Sequence, residues 1–108
     1  MGLFDPPRPK KKVYISGRIS SIPIEEARAT FSNAKKDLES KGYEVFSPFD
    51  NGLPESAPWK DHMRRDLDVI FTVDELMMLP GWTASKGAQL EYALARGLDI
   101  PIAMYIKN

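Results

Sequence analysis

Four short apolar runs alternate with three stretches of helical periodicity, so that every helical stretch lies between two runs. The runs are residues 13–15, 43–46, 75–79 and 100–106. A β-α-β-α-β-α-β order leaves few folds open, because strands joined through a helix run parallel and are covered by helices. The expected fold is therefore α/β. It is a single Rossmann-like domain with a mostly parallel, four-to-five-stranded sheet in flavodoxin-like order and helices on both faces. Ligands of such sheets bind beyond the carboxyl ends of the strands, where the strand order reverses. That rule makes the loops 17–22, 47–58 and 80–85 the candidates for a site.

The helical stretches have readable limits. Ile24, Ala27, Phe31, Ala34 and Leu38 recur at spacings of three and four, with Pro23 at the start and Gly42 as the stop. A second helix is expected over residues 59–72, with Trp59, Met63, Leu67 and Ile70 on one face. Ser85 is a suitable N-cap for a third helix ending at Gly97. The 47–58 loop holds three prolines and Gly52, and loops of that length in compact domains are often functional.

Length and charge narrow the function classes. At 108 residues the chain has room for one core. Residues 1–11 hold three prolines and a basic run, which reads as a flexible arm; the domain is 12–108. Fifteen Lys+Arg balance fifteen Asp+Glu, so no general field draws nucleic acid or a membrane, and neither is an expected partner. The absence of cysteine excludes disulfides, Cys-zinc sites and thiol catalysis. One histidine excludes a multi-histidine metal site, and neither metal nor organic cofactor is expected. No apolar run approaches the ~20 residues needed to span a bilayer. The run at 13–15 is too short for a signal-peptide core, so the expected location is the cytoplasm.

Three segments hold residues suited to chemistry. Tyr14-Ile15-Ser16-Gly17-Arg18-Ile19-Ser20-Ser21 leads from strand to helix with a glycine, an arginine and three hydroxyls. Helix-start amides with Arg18 suit a phosphate or carboxylate, although an ordinary polar loop has the same composition. In Ser85-Lys86-Gly87-Ala88-Gln89-Leu90-Glu91, Gly87 and Ala88 stand one turn before Glu91 on its own face. Small residues there leave room for a substrate above the carboxylate, or for close packing of helix on strand. In Arg64-Arg65-Asp66-Leu67-Asp68, Asp66 lies at the edge of the apolar face, able to enter a cleft or to pair with a basic neighbour in solvent. Two carboxylates flanking a scissile bond serve as nucleophile and general acid in glycosyl transfer.

Tyr14 with Gly17, Asp66, Asp74 and the Ser85-x-Gly87-x-x-x-Glu91 pattern resemble the nucleoside 2-deoxyribosyltransferase superfamily over most of the domain. Within it, the serine at position 85 resembles the 2′-deoxynucleoside 5′-monophosphate N-glycosidases. The Leu79-Pro80-Gly81-Trp82 turn before Ser85-Lys86-Gly87-Ala88 is similar to small bacterial and phage members. The resemblance implies that Glu91 is the nucleophile at the anomeric carbon, Tyr14 its orienting partner and Asp66 the group that assists the departing base. It implies that Ser85 binds a 5′-phosphate, and that Gly17 and Gly87 let ligand approach the backbone. Ser16, Arg18 and Ser20 complete the expected binding loop, with Trp82, Phe46 or Phe49 as stacking faces for the base. The nucleotide hydrolases have Ser and Arg where this chain has Arg18 and Ser20, which alters the expected phosphate contact. They also borrow a residue from the C-terminal region of a neighbouring subunit, a part that Asn108 would play here. His62 is expected to be an exposed helix residue.

The leading expectation is an N-glycosidase or deoxyribosyl transferase acting on a (deoxy)nucleoside 5′-monophosphate. Its partner is a small nucleotide or nucleoside, and it assembles as a homodimer or larger homo-oligomer. The alternative is a non-catalytic nucleotide-binding or sensing module that keeps Tyr14, Arg18 and Ser85 but tolerates loss of Glu91. A third reading, an accessory protein working through its basic arm, rests on residues 8–12 alone.

Overall fold

A computed structural model describes residues 10–106, so most of the arm and Asn108 lie outside the described residues. Strand β1 (Lys12–Ser16) leads into helix α1 (Ile24–Ser40) and strand β2 (Glu44–Phe46). Helix α2 (Trp59–Ile70), strand β3 (Glu75–Met78), helix α3 (Lys86–Gly97) and strand β4 (Ile102–Met104) follow. The sheet has four strands in the order β2-β1-β3-β4, and every pairing is parallel. Register is set by pairs such as Val13 with Val45, Tyr14 with Leu76, and Leu76 with Ile102. The expected architecture therefore holds, with four strands and a reversal point between β1 and β3.

Alternation along β1 and β3 divides the core in two. Val13 and Ile15 join Met77, Leu79 and Val45 under the α1 stripe of Phe31, Ala34 and Leu38. Tyr14 joins Leu76 and Met78 under Ile70 of α2 and Ala88 and Ala95 of α3. Strand side chains point to opposite faces with a period of two, so neighbouring residues of one strand serve different layers.

Caps explain the helix limits. Helix α1 opens after Pro23 with Glu25 and Glu26 in its first turn, where acidic groups complement the helix dipole. Gly42, at φ 96°, turns the chain out of α1, and its amide donates to Glu39 O at 3.0 Å. A left-handed backbone there favours glycine. Ser85 caps α3 by accepting the Ala88 amide at 3.1 Å. Asp74 has a framework role, since its Oδ2 accepts the Lys12 amide at 2.8 Å and ties the start of β1 to β3. No helix among the described residues is long and apolar enough to cross a membrane.

Candidate active site

A cavity of about 620 Å³ opens at the carboxyl edge of the sheet. The 17–20 loop, α1, the 47–58 loop, α2 and the first turns of α3 line it. Asp66 of α2 and Glu91 of α3 both face it. Each carboxylate stands in the buried stripe of its helix: Met63-Asp66-Ile70 in α2 and Ala88-Glu91-Ala95 in α3. The two stripes share one spacing, apolar at i−3 and i+4 around the acid.

Glu91 is 4% exposed. Tyr14 Oη donates to its Oε2 at 2.7 Å, and Ser16 Oγ donates to its Oε1 at 2.6 Å. Both donors come from β1, two residues apart, so the pleat aims them at one target. Burial pushes the Glu91 carboxyl up to about 7, against the two hydrogen bonds, which favour its ionised form. The nearby Asp66 carboxyl adds to that rise. Burial, together with the adjoining carboxylates, holds the Tyr14 phenol well above its ordinary range.

Asp66 is 5% exposed, more buried than Leu67 beside it. The edge position expected for Asp66 is thus an inward one, and Trp59, expected on the apolar face, is largely exposed. Burial raises the Asp66 carboxyl, while the hydrogen bond from Asn51, and with it the adjoining Tyr14 hydroxyl, pull it down. Asn51 Nδ2 donates to Asp66 Oδ1 at 3.0 Å.

The other expected residues separate into several placements. Gly17, Ser20, Ser85 and Gly87 line the cavity. Ser16 does not; its fully buried hydroxyl is committed to Glu91 beneath the cavity. A Cβ on Gly17 would stand 3.0 Å from Leu79 Cβ and 3.1 Å from Phe31 Cζ, so packing also requires glycine there. A Cβ on Gly87 would meet Met63 Sδ at 3.2 Å. The close approach is helix on helix, not helix on strand, and it leaves Gly87 on the cavity wall. Arg18 turns to its own loop, where Nη2 donates to Ser21 O at 3.4 Å, and it does not line the cavity. Trp82 also lies outside the lining, stacked on Tyr92 at 4.7 Å between centroids. Phe49, not Trp82, offers an aromatic surface to the cavity, edge-on to Phe31 at 5.3 Å. Phe46 packs into the core layer beneath α2 and α3.

Several lining residues escaped sequence reasoning. His62 is half-buried, with Nδ1 3.0 Å from Asn51 Nδ2 and Nε2 3.1 Å from Pro54 O. Arg28 lies 5.0 Å from the Phe49 ring centroid and pairs with Glu55 of the 47–58 loop. Lys86 stands 5.3 Å from the Trp59 ring centroid. The one signal that could have found Arg28 is its place a turn after Ile24, on the side of α1 that meets the 47–58 loop. Among the described residues, no three His, Asp or Glu side chains group as metal ligands would.

Comparison with known proteins places this geometry. A family model described as "Domain of unknown function (DUF4406)" matches residues 11–104. The chain belongs to the DUF4406 family. No curated protein sequence matches this DUF4406 chain significantly. Solved structures do. A 2-desoxiribosyltransferase from Leishmania mexicana superposes with a TM-score of 0.68 at 20% identity, over 88% of this chain and 63% of that one. The solution structure of BlsM gives 0.66 at 22% identity, over 88% and 64%. A conserved protein from Enterococcus faecalis V583 gives 0.64 at 21%, over 93% and 66%. The DUF4406 chain therefore has the deoxyribosyltransferase-like fold, and it spans about two thirds or less of the length of these structures.

Proposed function

We propose that this DUF4406 protein cleaves the base–sugar bond of a (deoxy)nucleoside 5′-monophosphate, as an N-glycosidase or a deoxyribosyl transferase. The observation that carries the reading is the buried Glu91 carboxylate, held by Tyr14 and Ser16 and sharing one cavity with Asp66. A lone structural carboxylate would cost stability in that place, because burying a charge is unfavourable unless it is paired. One fold relative is a 2-desoxiribosyltransferase, which supports the same chemistry here.

The step begins with ionised Glu91 attacking the anomeric carbon. The bond from that carbon to the base nitrogen breaks, and its electron pair moves onto the base. In the form that reacts, the one proton the two carboxyls share sits on Asp66, which supplies it to the departing base. The sugar is then esterified to Glu91. Water attacks the same carbon, gives its proton to Asp66 and releases Glu91 as carboxylate; a second base in place of water completes transfer instead. Tyr14 and Ser16 stabilise the ionised glutamate before attack and again at its release. At the other end of the ligand, the Ser85 oxygen already accepts the Ala88 amide, which leaves its O–H to donate. That hydroxyl, the first-turn amides of α3 and the Lys86 ammonium suit a 5′-phosphate.

The reading extends to a homo-oligomer, with exposed Trp59 of α2 and Leu90 of α3 covered by a second copy. Sedimentation at micromolar concentration tests this, and a fully active monomer overturns it. The activity is tested by incubating the protein with each ribo- and deoxynucleoside 5′-monophosphate and each nucleoside, with chromatography of the free base. Base release that disappears in Glu91→Ala supports the enzyme. Equal nucleotide binding by wild type and Glu91→Ala, with no base released by either, replaces it with the sensing module.

A further inference from the structure

The carboxamide of Asn51 has no spare group. Its Oδ1 accepts the Leu53 amide at 3.0 Å. Its Nδ2 stands 3.0 Å from Asp66 Oδ1 and 3.0 Å from His62 Nδ1. Because the Leu53 N–H only donates, the amide oxygen must face it, and the NH2 group must face the acid and the imidazole. The same reasoning fixes His62. The Pro54 carbonyl only accepts, so Nε2 carries the ring proton and Nδ1 receives the Asn51 amide. Arg65 Nη1 donates to the Asn51 carbonyl at 2.9 Å and anchors the backbone of the same residue.

This arrangement makes the two oxygens of Asp66 unequal. Oδ1 is occupied as an acceptor. A proton on the carboxyl therefore resides on Oδ2. We propose that Asn51 is a positioning residue for base departure, reserving Oδ1 of Asp66 as an acceptor and placing the transferable proton on Oδ2. The inference rests on the glycosidase reading above. When the bond from the anomeric carbon to the base nitrogen breaks, the electron pair goes to the base and the Oδ2 proton follows it. The carboxylate left behind keeps its hydrogen bond from Asn51. The other ionisable groups about Asp66 are Tyr14 of β1, Glu91 of α3, and His62 and Arg65 on its own helix. Of these, the Tyr14 hydroxyl is engaged with Glu91 at 2.7 Å.

Asn51 and Asp66 also line a second cavity of about 290 Å³, so together they form part of the wall of both. A test must keep that wall while removing the donors, and Asn51→Leu does so. The probe pair is the best natural purine deoxynucleotide and its N7-methylated form, whose cationic base departs without a proton. Asn51→Leu is expected to lower kcat on the natural substrate by about tenfold or more, with KM within about twofold, and to leave kcat on the methylated substrate within about twofold. A merely structural role would slow both substrates alike. Equal losses, or none, overturn the inference while leaving the glycosidase reading intact. A wild-type protein that releases base from no nucleotide or nucleoside of the full panel sinks the reading, and this inference with it. A second measurement needs no substitution at position 51. In the wild-type chain the Asn51 side-chain amide resonances are expected to move as Asp66 titrates, and to lose that movement in Asp66→Asn. Resonances that ignore Asp66 overturn the proposal.

Discussion

The two layers beside the central sheet use the same strand for different ends. On the α1 side, β1 presents Val13 and Ile15 to Phe31, Ala34 and Leu38, and the buried cluster is wholly apolar. On the α2 and α3 side, the intervening Tyr14 and Ser16 present hydroxyls to a buried carboxylate. One layer stabilises the chain by excluding water. The other maintains a charge-bearing site that costs stability whenever Glu91 ionises. A strand of five residues can do both because its side chains alternate.

Substitutions should separate the layers, and the largest effect belongs to the chemical one. Glu91→Gln is expected to lower kcat/KM for base release by about 10³-fold or more, read by chromatography. Loss of less than about tenfold would remove Glu91 as nucleophile and blur the contrast. Leu38→Ala tests the opposite layer. It should cost about 2–5 kcal/mol in denaturant unfolding, since a buried side chain leaves a cavity, while kcat of the folded fraction stays near wild type.

The next effect is on pH. Glu91 keeps its proton to about pH 7 in the folded chain, against an ordinary value of 4.5. Between these values the folded state binds more protons than the unfolded one, so stability falls as pH rises. The Glu91 contribution is full below about 4.5 and lost through about 7, a change of about 3 kcal/mol. Unfolding curves at pH 5 and pH 8 measure it, and Glu91→Gln should flatten the difference. The smallest effect is expected from Ser16→Ala, at about 1 kcal/mol. Removing a donor to the ionised carboxylate raises the Glu91 value further, so the ascending limb of the pH–rate profile should move to higher pH. Asp66→Asn should move the Glu91-linked stability loss the other way, because it removes a neighbouring negative charge.

Much of this organisation is legible along the chain. The helix stripe from Ile24 to Leu38, the Gly42 stop and the Ser85 cap are local features, and the elements form where those residues stand. Asp66 and Glu91 stand out by their places in the helix patterns, a family resemblance adds their roles and that of Tyr14, and the fold brings all three together. Periodicity gives most of the inner face of α2, since Met63 and Ile70 are buried and Leu67 packs against the core, but it includes Trp59, which is exposed, and omits Asp66, which is buried. A polar residue in a buried stripe is invisible to any pattern that scores apolarity. Trp82 and Arg18 were offered to the ligand by their loops, yet each side chain turns to a neighbour outside the cavity.

The sequence by itself determined the order of elements, the parallel sheet and the edge at which a site must form. These follow from backbone geometry and from residues within a few positions of one another. Only the tertiary structure decided which polar atoms meet. Tyr14 and Glu91 are 77 positions apart, and Asn51 reaches Asp66 and His62 from a separate loop. Such hydrogen bonds depend on sub-ångström placement of whole elements, which is set by packing across the core and not by local periodicity.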